Sequence, residues 1–110
     1  MSLSTHVLDS VTGRPAPGVP VRLERFDAGE WAAVAAGETD GDGRLRDWIR
    51  PDGFGLGTYR LVFDTGRYFA TAGVAAFYPE VVVTFSVADD RHHHVPLLLS
   101  PFAYSTYRGS

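Results

Sequence analysis

The run Val19-Pro20-Val21-Arg22-Leu23-Glu24-Arg25-Phe26 alternates side-chain character residue by residue. Val19, Val21, Leu23 and Arg25 fall on one side and Arg22, Glu24 and Phe26 on the other, because successive strand side chains point to opposite faces. A strand so composed buries one face and keeps the other mostly wet. Working outward, β-type runs recur at about 3–9, 31–38, 44–48, 57–64, 80–88, 92–100 and 103–108, separated by Gly, Pro and Asp. Short strands at this spacing predict a sandwich, not alternating strands and helices. Asp40-Gly41-Asp42-Gly43 can supply the positive φ angles of a tight reversal, and Pro51-Asp52-Gly53 reads as a second turn. The exception is 66–76, where Ala and apolar groups cluster without alternation. One short helix fits there, and Pro79 should end it.

At 110 residues the chain is expected to form a single domain, 1–110, large enough to bury a core. Its hydrophobic fraction of 45% and charged fraction of 21% argue for a packed globular protein and against global disorder. The net charge is -3 and every basic side chain is Arg, so nucleic acid is not an expected partner. With no cysteine there is neither a disulfide framework nor a thiolate nucleophile or metal ligand, which fits a cytoplasmic location. The opening residues lack the basic and apolar regions of a signal peptide. No later run approaches the roughly 20 apolar residues of a membrane span, so no membrane association is expected.

Two histidines, His6 and His94, stand in strand-like segments far apart in sequence. Imidazole exchanges protons near neutral pH, so a convergent pair could activate water and then protonate a leaving nitrogen. On residue type alone, each is as readily a surface or satisfied core histidine. Alternation places His92, His94, Pro96 and Leu98 on one strand face and His93, Val95, Leu97 and Leu99 on the other. His92 and His94 could form part of a zinc site, but the remaining ligands are not apparent, and no metal or cofactor is expected. Arg44 follows the turn at 40–43 and opens a strand. Its fork could grip two oxygens and stabilise developing negative charge, or it could be an ordinary surface ion-pair residue. Arg46 shares its face. The tail Tyr107-Arg108-Gly109-Ser110 combines an aromatic ring, a guanidinium, a close-approach glycine and a hydroxyl, unusual for a chain end. No Gly-x-Ser-x-Gly elbow is present, which disfavours serine catalysis, and the Gly-rich 53–57 lacks the Lys of a phosphate loop.

Four strings lie in a recognisable order: Ser4-Thr5-His6-Val7-Leu8-Asp9, Thr39-Asp40-Gly41-Asp42-Gly43-Arg44, Gly57-Thr58-Tyr59-Arg60-Leu61, and His94-Val95-Pro96-Leu97-Leu98 leading to Ser105-Thr106-Tyr107-Arg108-Gly109-Ser110. Together they span nearly the whole chain, which resembles the 5-hydroxyisourate hydrolases, transthyretin-like enzymes of urate breakdown. The resemblance implies an all-β, transthyretin-like β-sandwich of two antiparallel four-stranded sheets with one short helix. It implies hydrolysis of 5-hydroxyisourate to 2-oxo-4-hydroxy-4-carboxy-5-ureidoimidazoline in purine catabolism. His6, Arg44, His94 and Ser110 would be catalytic, and Tyr107, Arg108 and Gly109 would join them in binding substrate. The family assembles as a homotetramer with sites at a subunit interface, and the Leu97, Leu99, Tyr104 and Tyr107 region would supply the self-association surface. Relatives commonly carry Tyr where His93 stands. The competing reading is a transthyretin-like carrier of a small hydrophobic ligand. Vertebrate carriers of this fold lack the Tyr-Arg-Gly-Ser ending and the paired histidines.

Overall fold

The computed structural model describes residues 2–110. Strand β1 (Leu3–Asp9) buries Leu3, Thr5, Val7 and Asp9 and turns the residues between them outward. It anchors the first sheet, whose order is β2 (Arg14–Pro15), β1, β8 (His93–Leu99), β9 (Tyr104–Thr106), with β5 (Arg44–Leu45) also paired to β1. The second sheet runs β4 (Glu30–Glu38), β3 (Pro20–Asp27), β6 (Gly57–Phe63), β7 (Val81–Val87). The sheets close on a core in which Val7, Val95, Leu97 and Leu99 from the first meet Val21, Leu23, Tyr59, Leu61 and Phe63 from the second. Removing these apolar surfaces from water is the main force holding the layers together. The alternation read in 19–26 holds: Val19, Val21 and Leu23 are buried while Arg22 and Phe26 are exposed.

Tyr59 brings a hydroxyl into this core, and the Gly-rich stretch before it meets that need. The hydroxyl donates to the Gly55 carbonyl at 2.7 Å and accepts from the Gly55 amide at 3.0 Å and Arg25 Nη1 at 3.2 Å. A buried polar atom so paired avoids the roughly 1–3 kcal/mol that an unmade bond would cost.

Three expectations about the strands and the helix need correction. The first sheet is mixed, not antiparallel, and has five strands: β1 and β8 run parallel, with Leu3 opposite His93 through Asp9 opposite Leu99. The strand expected over 44–48 is only Arg44–Leu45, because Asp47 adopts a φ of 54° that a strand cannot continue through. The helix expected over 66–76 is α1, Thr65–Thr71, and Pro79 does not end it. Asp64 caps its start by accepting from the Arg67 amide. Gly73 ends it at a φ of 70°, with the Val74 amide donating to the Phe69 carbonyl at 2.9 Å, so the apolar residues beyond are loop. Tyr68 of α1 ties the helix to β1 by donating to Asp9 Oδ2 at 2.9 Å. Burial first, and then this bond to a carboxylate, push the Tyr68 phenol up to about 12.

Leu97 and Leu99 point into the protein's own core at 0% and 2% exposure and cannot form a self-association surface. On that side, Tyr104 and Tyr107 are the exposed members of the expected group. No helix among the described residues is long and apolar enough to cross a membrane.

Candidate active site

The outer face of the first sheet is built around the β1 register. In the parallel pairing Ser4 lies opposite His94, and in the antiparallel pairing His6 lies opposite Arg44. Directly opposed residues share a face, so Ser4, His6, Arg44 and His94 all project outward together. Their inward neighbours Thr5, Leu45 and Val95 are buried, which locks that orientation. The chain termini and the middle of the sequence thus meet on one sheet.

The turn at 40–43 sets Arg44 against β1. Asp40 Oδ1 accepts from the amides of Asp42 at 2.8 Å and Arg44 at 3.0 Å. These bonds, led by the one from Arg44, hold its carboxyl below the usual carboxylate range. Gly43 sits at a φ of 73°, and a Cβ there would come within 2.5 Å of the Val7 carbonyl oxygen. Only glycine fits both the conformation and the space. The turn also receives His6: its Nε2 lies 3.0 Å from the Asp42 carbonyl oxygen. A carbonyl can only accept, so His6 carries its proton on Nε2 and leaves Nδ1 as the lone pair when neutral.

His94 borders a cleft of about 550 Å³ whose other walls include Ser4, Arg44, Arg46, Trp48, His92 and Ser110. The Trp48 indole is fixed by donating to the Leu3 carbonyl at 3.1 Å. The imidazole of His94 is held below its ordinary value of 6.5, first by burial and then by the nearby charges of His92, Arg44 and His6. Its uncharged form is therefore favoured, and Nδ1 lies 2.7 Å from Ser4 Oγ. A neutral imidazole beside a guanidinium can take a proton from water while the guanidinium holds an anionic oxygen.

The tail divides. Gly109 donates its amide to the His94 carbonyl at 2.8 Å and lies so close to the ring that a Cβ would meet His94 Cδ2 at 2.5 Å. Ser110 enters the large cleft. Tyr107 and Arg108 instead line a smaller cavity of about 240 Å³ with Val83, Phe85, His93 and His94, and Arg108 Nη2 lies 3.8 Å from Asp89 Oδ2. His6 reaches the group through its field on His94 and is not itself a wall of the large cleft. Within the single chain, then, His94, Arg44, Gly109 and Ser110 come together, His6 stands at the edge, and Tyr107 and Arg108 face another cavity.

The three-histidine run splits across the sheet. His92 joins His94 on the outer face, whereas His93 is buried against Phe54, with Nδ1 donating to the Arg91 carbonyl at 2.7 Å. Its Nε2 has no hydrogen-bond partner among the described residues. No group of three or more potential metal ligands occurs among those residues. Sequence reasoning passed over Arg46, Trp48 and Ser4 as site residues. Arg46 was legible from its shared face with Arg44; Ser4 sits two residues before His6, where strand alternation gives it the same face.

The model of the HIUase/Transthyretin family matches residues 3–109. The chain belongs to that family. Among its family relatives, 5-hydroxyisourate hydrolase of Salmonella typhimurium is 46% identical, covering 98% of this chain and 80% of the relative. The mouse protein of the same name is 45% identical over 98% and 94% of the two chains. Among solved structures, Klebsiella pneumoniae 5-hydroxyisourate hydrolase matches with a TM-score of 0.87 at 39% identity, covering 100% of both chains. Sea bream transthyretin in complex with thyroxine matches with a TM-score of 0.93 at 35% identity, over 97% and 93%. Structures of this fold thus include one named as a hydrolase and one in complex with thyroxine, and backbone likeness alone does not separate the two.

Proposed function

We infer that the protein hydrolyses 5-hydroxyisourate, opening the six-membered ring to 2-oxo-4-hydroxy-4-carboxy-5-ureidoimidazoline. The observation that carries this reading is the register that sets His6 opposite Arg44 and Ser4 opposite His94, with Gly109 packed on the His94 ring. The near-half identity to 5-hydroxyisourate hydrolases over almost the whole chain supports the substrate.

His94 takes a proton from water, which adds to the ring amide carbonyl. Arg44 binds the substrate oxygens and stabilises the oxyanion of the tetrahedral adduct. As the C–N bond breaks, His94 gives a proton to the departing nitrogen, and the carbonyl carbon becomes a carboxylic acid that releases its proton to water as it ionises. His6, whose Nε2 is pinned to Asp42, stands at the edge of the site and shares proton handling. Ser110 hydrogen-bonds water or a substrate heteroatom, and Gly109 lets the tail lie against the reacting group. Tyr107 and Arg108 complete the substrate site from a neighbouring subunit of a homotetramer, a role consistent with their facing away from the large cleft of their own protomer. The exposed rings of Tyr104 and Tyr107 offer contact area for that assembly. The chemistry needs acid-base and electrostatic groups and no cofactor, and the proposed setting is the cytoplasm.

The test is direct. Urate freshly oxidised to 5-hydroxyisourate is mixed with the purified protein and its absorbance followed. Decay well above the spontaneous rate is expected; decay at the spontaneous rate, with tight retention of a hydrophobic ligand such as thyroxine, would favour the carrier reading.

A further inference from the structure

Along the wall of the cleft that His94 shares with Arg44 lies a chain of hydrogen bonds that the proposed reaction does not use. Ser4 Oγ sits 2.7 Å from His94 Nδ1 and 2.9 Å from His92 Nε2. His92 Nδ1 in turn bonds Ser2 Oγ. His94 and Ser4 are partly buried, whereas His92 and Ser2 are exposed, so the chain runs from the inner wall of the cleft to bulk water.

The donor count makes this chain directional. A hydroxyl has one proton to give, and a neutral imidazole is a donor at one nitrogen and an acceptor at the other. A hydroxyl between two imidazole nitrogens therefore donates to one and accepts from the other. If Ser4 donates to His94 Nδ1, His94 presents an N–H at Nε2, His92 donates from Nε2 to Ser4, and Ser2 donates to His92 Nδ1. If every bond reverses, His94 presents a lone pair at Nε2 and His92 an N–H towards Ser2. The two arrangements differ only in the placement of protons already in the chain. They offer the substrate, respectively, an acid and a base.

We propose that Ser4, His92 and Ser2 form a proton relay that switches His94 between base and acid during turnover and exchanges its proton with solvent. This rests on the hydrolase reading. In the forward step the attacking water gives a proton to His94 Nε2. The Nδ1 proton passes to Ser4 Oγ, the Ser4 proton to His92 Nε2, and the His92 Nδ1 proton through Ser2 to water. The reverse sequence recharges the chain and delivers one proton from Nε2 to the leaving nitrogen, so protons balance over the cycle. Ser4 and His92 are positioning residues here. The other titratable and charged groups near His94, namely His6 on β1, Arg44 on β5 and Arg46 beyond it, make no hydrogen bond to its Nδ1, whose partner among the described residues is Ser4 Oγ.

The experiment compares unsubstituted protein with Ser4→Ala, Ser4→Thr and His92→Ala, all checked for native circular dichroism, by turnover of 5-hydroxyisourate in mixtures of light and heavy water. Ser4→Ala should lower kcat by about tenfold to a hundredfold with KM nearly unchanged. Ser4→Thr, which restores the hydroxyl, should recover most of the loss. His92→Ala, at an exposed position that tolerates truncation, should fall similarly and be rescued by millimolar imidazole. The dependence of kcat on deuterium fraction should be curved in the unsubstituted protein, from several protons in flight, and linear in Ser4→Ala. An active parent with Ser4→Ala and His92→Ala at parental kcat, or a loss that neither Thr nor imidazole restores, would overturn the relay and leave the hydrolase reading intact. A parent without turnover would overturn both.

Discussion

At the scale of single residues, the proposed role of His94 rests on surroundings that favour its uncharged form. Burial is the largest cause and the Arg44 charge a contributor, so protonation that disables the base should set in only below the ordinary 6.5. The acid limb of kcat/KM should accordingly lie below 6.5 in the unsubstituted protein. Arg44→Gln removes one repelling charge and should move that limb upward while lowering the plateau; a limb that stays fixed or moves down would mean that Arg44 does not face His94. The same shift bears on stability: the unfolded chain binds the His94 proton first, so this group's contribution falls as pH drops through 6.5 and levels off below the folded value. Gly109→Ala is the sharpest steric probe, because the added carbon would sit 2.5 Å from His94 Cδ2. The tail or the ring must shift, and a displacement on the order of 1 Å at a reacting group can cost about a hundredfold. Turnover should drop by about that factor with an unchanged melting temperature, since the tail contributes little to the core.

At the scale of elements, the decisive feature is the tight turn that delivers Arg44 to β1. Gly43→Ala would combine a left-handed φ with a clash against the Val7 carbonyl, and should destabilise by roughly 2 kcal/mol or more. Denaturant unfolding measures this directly, and a loss of only a few tenths would show that the turn has room to relax. Tyr68→Phe should cost about 1–3 kcal/mol by leaving a buried Asp9 oxygen without its donor. Strand identity was legible in the sequence because period-two alternation is local, as Val19–Phe26 illustrates. Partner choice was not. Nothing within Leu3–Asp9 says that its neighbour is His93–Leu99 or that the two run parallel, since that pairing is decided by how both sheets close on the core. The helix end was misread for a related reason: Val74 to Ala76 remain apolar, yet the single positive φ at Gly73 had already turned the chain away. Of the site, the shared outward face of His92 and His94 followed from alternation, while the convergence of His6 with Arg44 rested on family resemblance. The division of the tail between two cavities depends on the close approach at Gly109, which no residue pattern announces.

At the scale of the whole molecule, the two sheets act as a rigid mount for groups drawn from the first strand, the middle turn and the last residues. The core residues hold the sandwich, and the proposed chemistry falls to the outward set on β1, β5 and β8. Deleting 107–110 should leave the sandwich folded, because Tyr107 and its neighbours are mostly exposed, while removing the backbone that packs on His94. Circular dichroism should be unchanged and turnover lost. Light scattering on the same sample would report whether the tail also holds the proposed tetramer together. The central claim is that His94 is the group that handles the water proton, and the rate of 5-hydroxyisourate consumption by folded His94→Ala, set beside that of the unsubstituted protein, tests it most directly. A fall in kcat of about 10²- to 10⁴-fold is predicted; consumption at the unsubstituted rate would contradict the account.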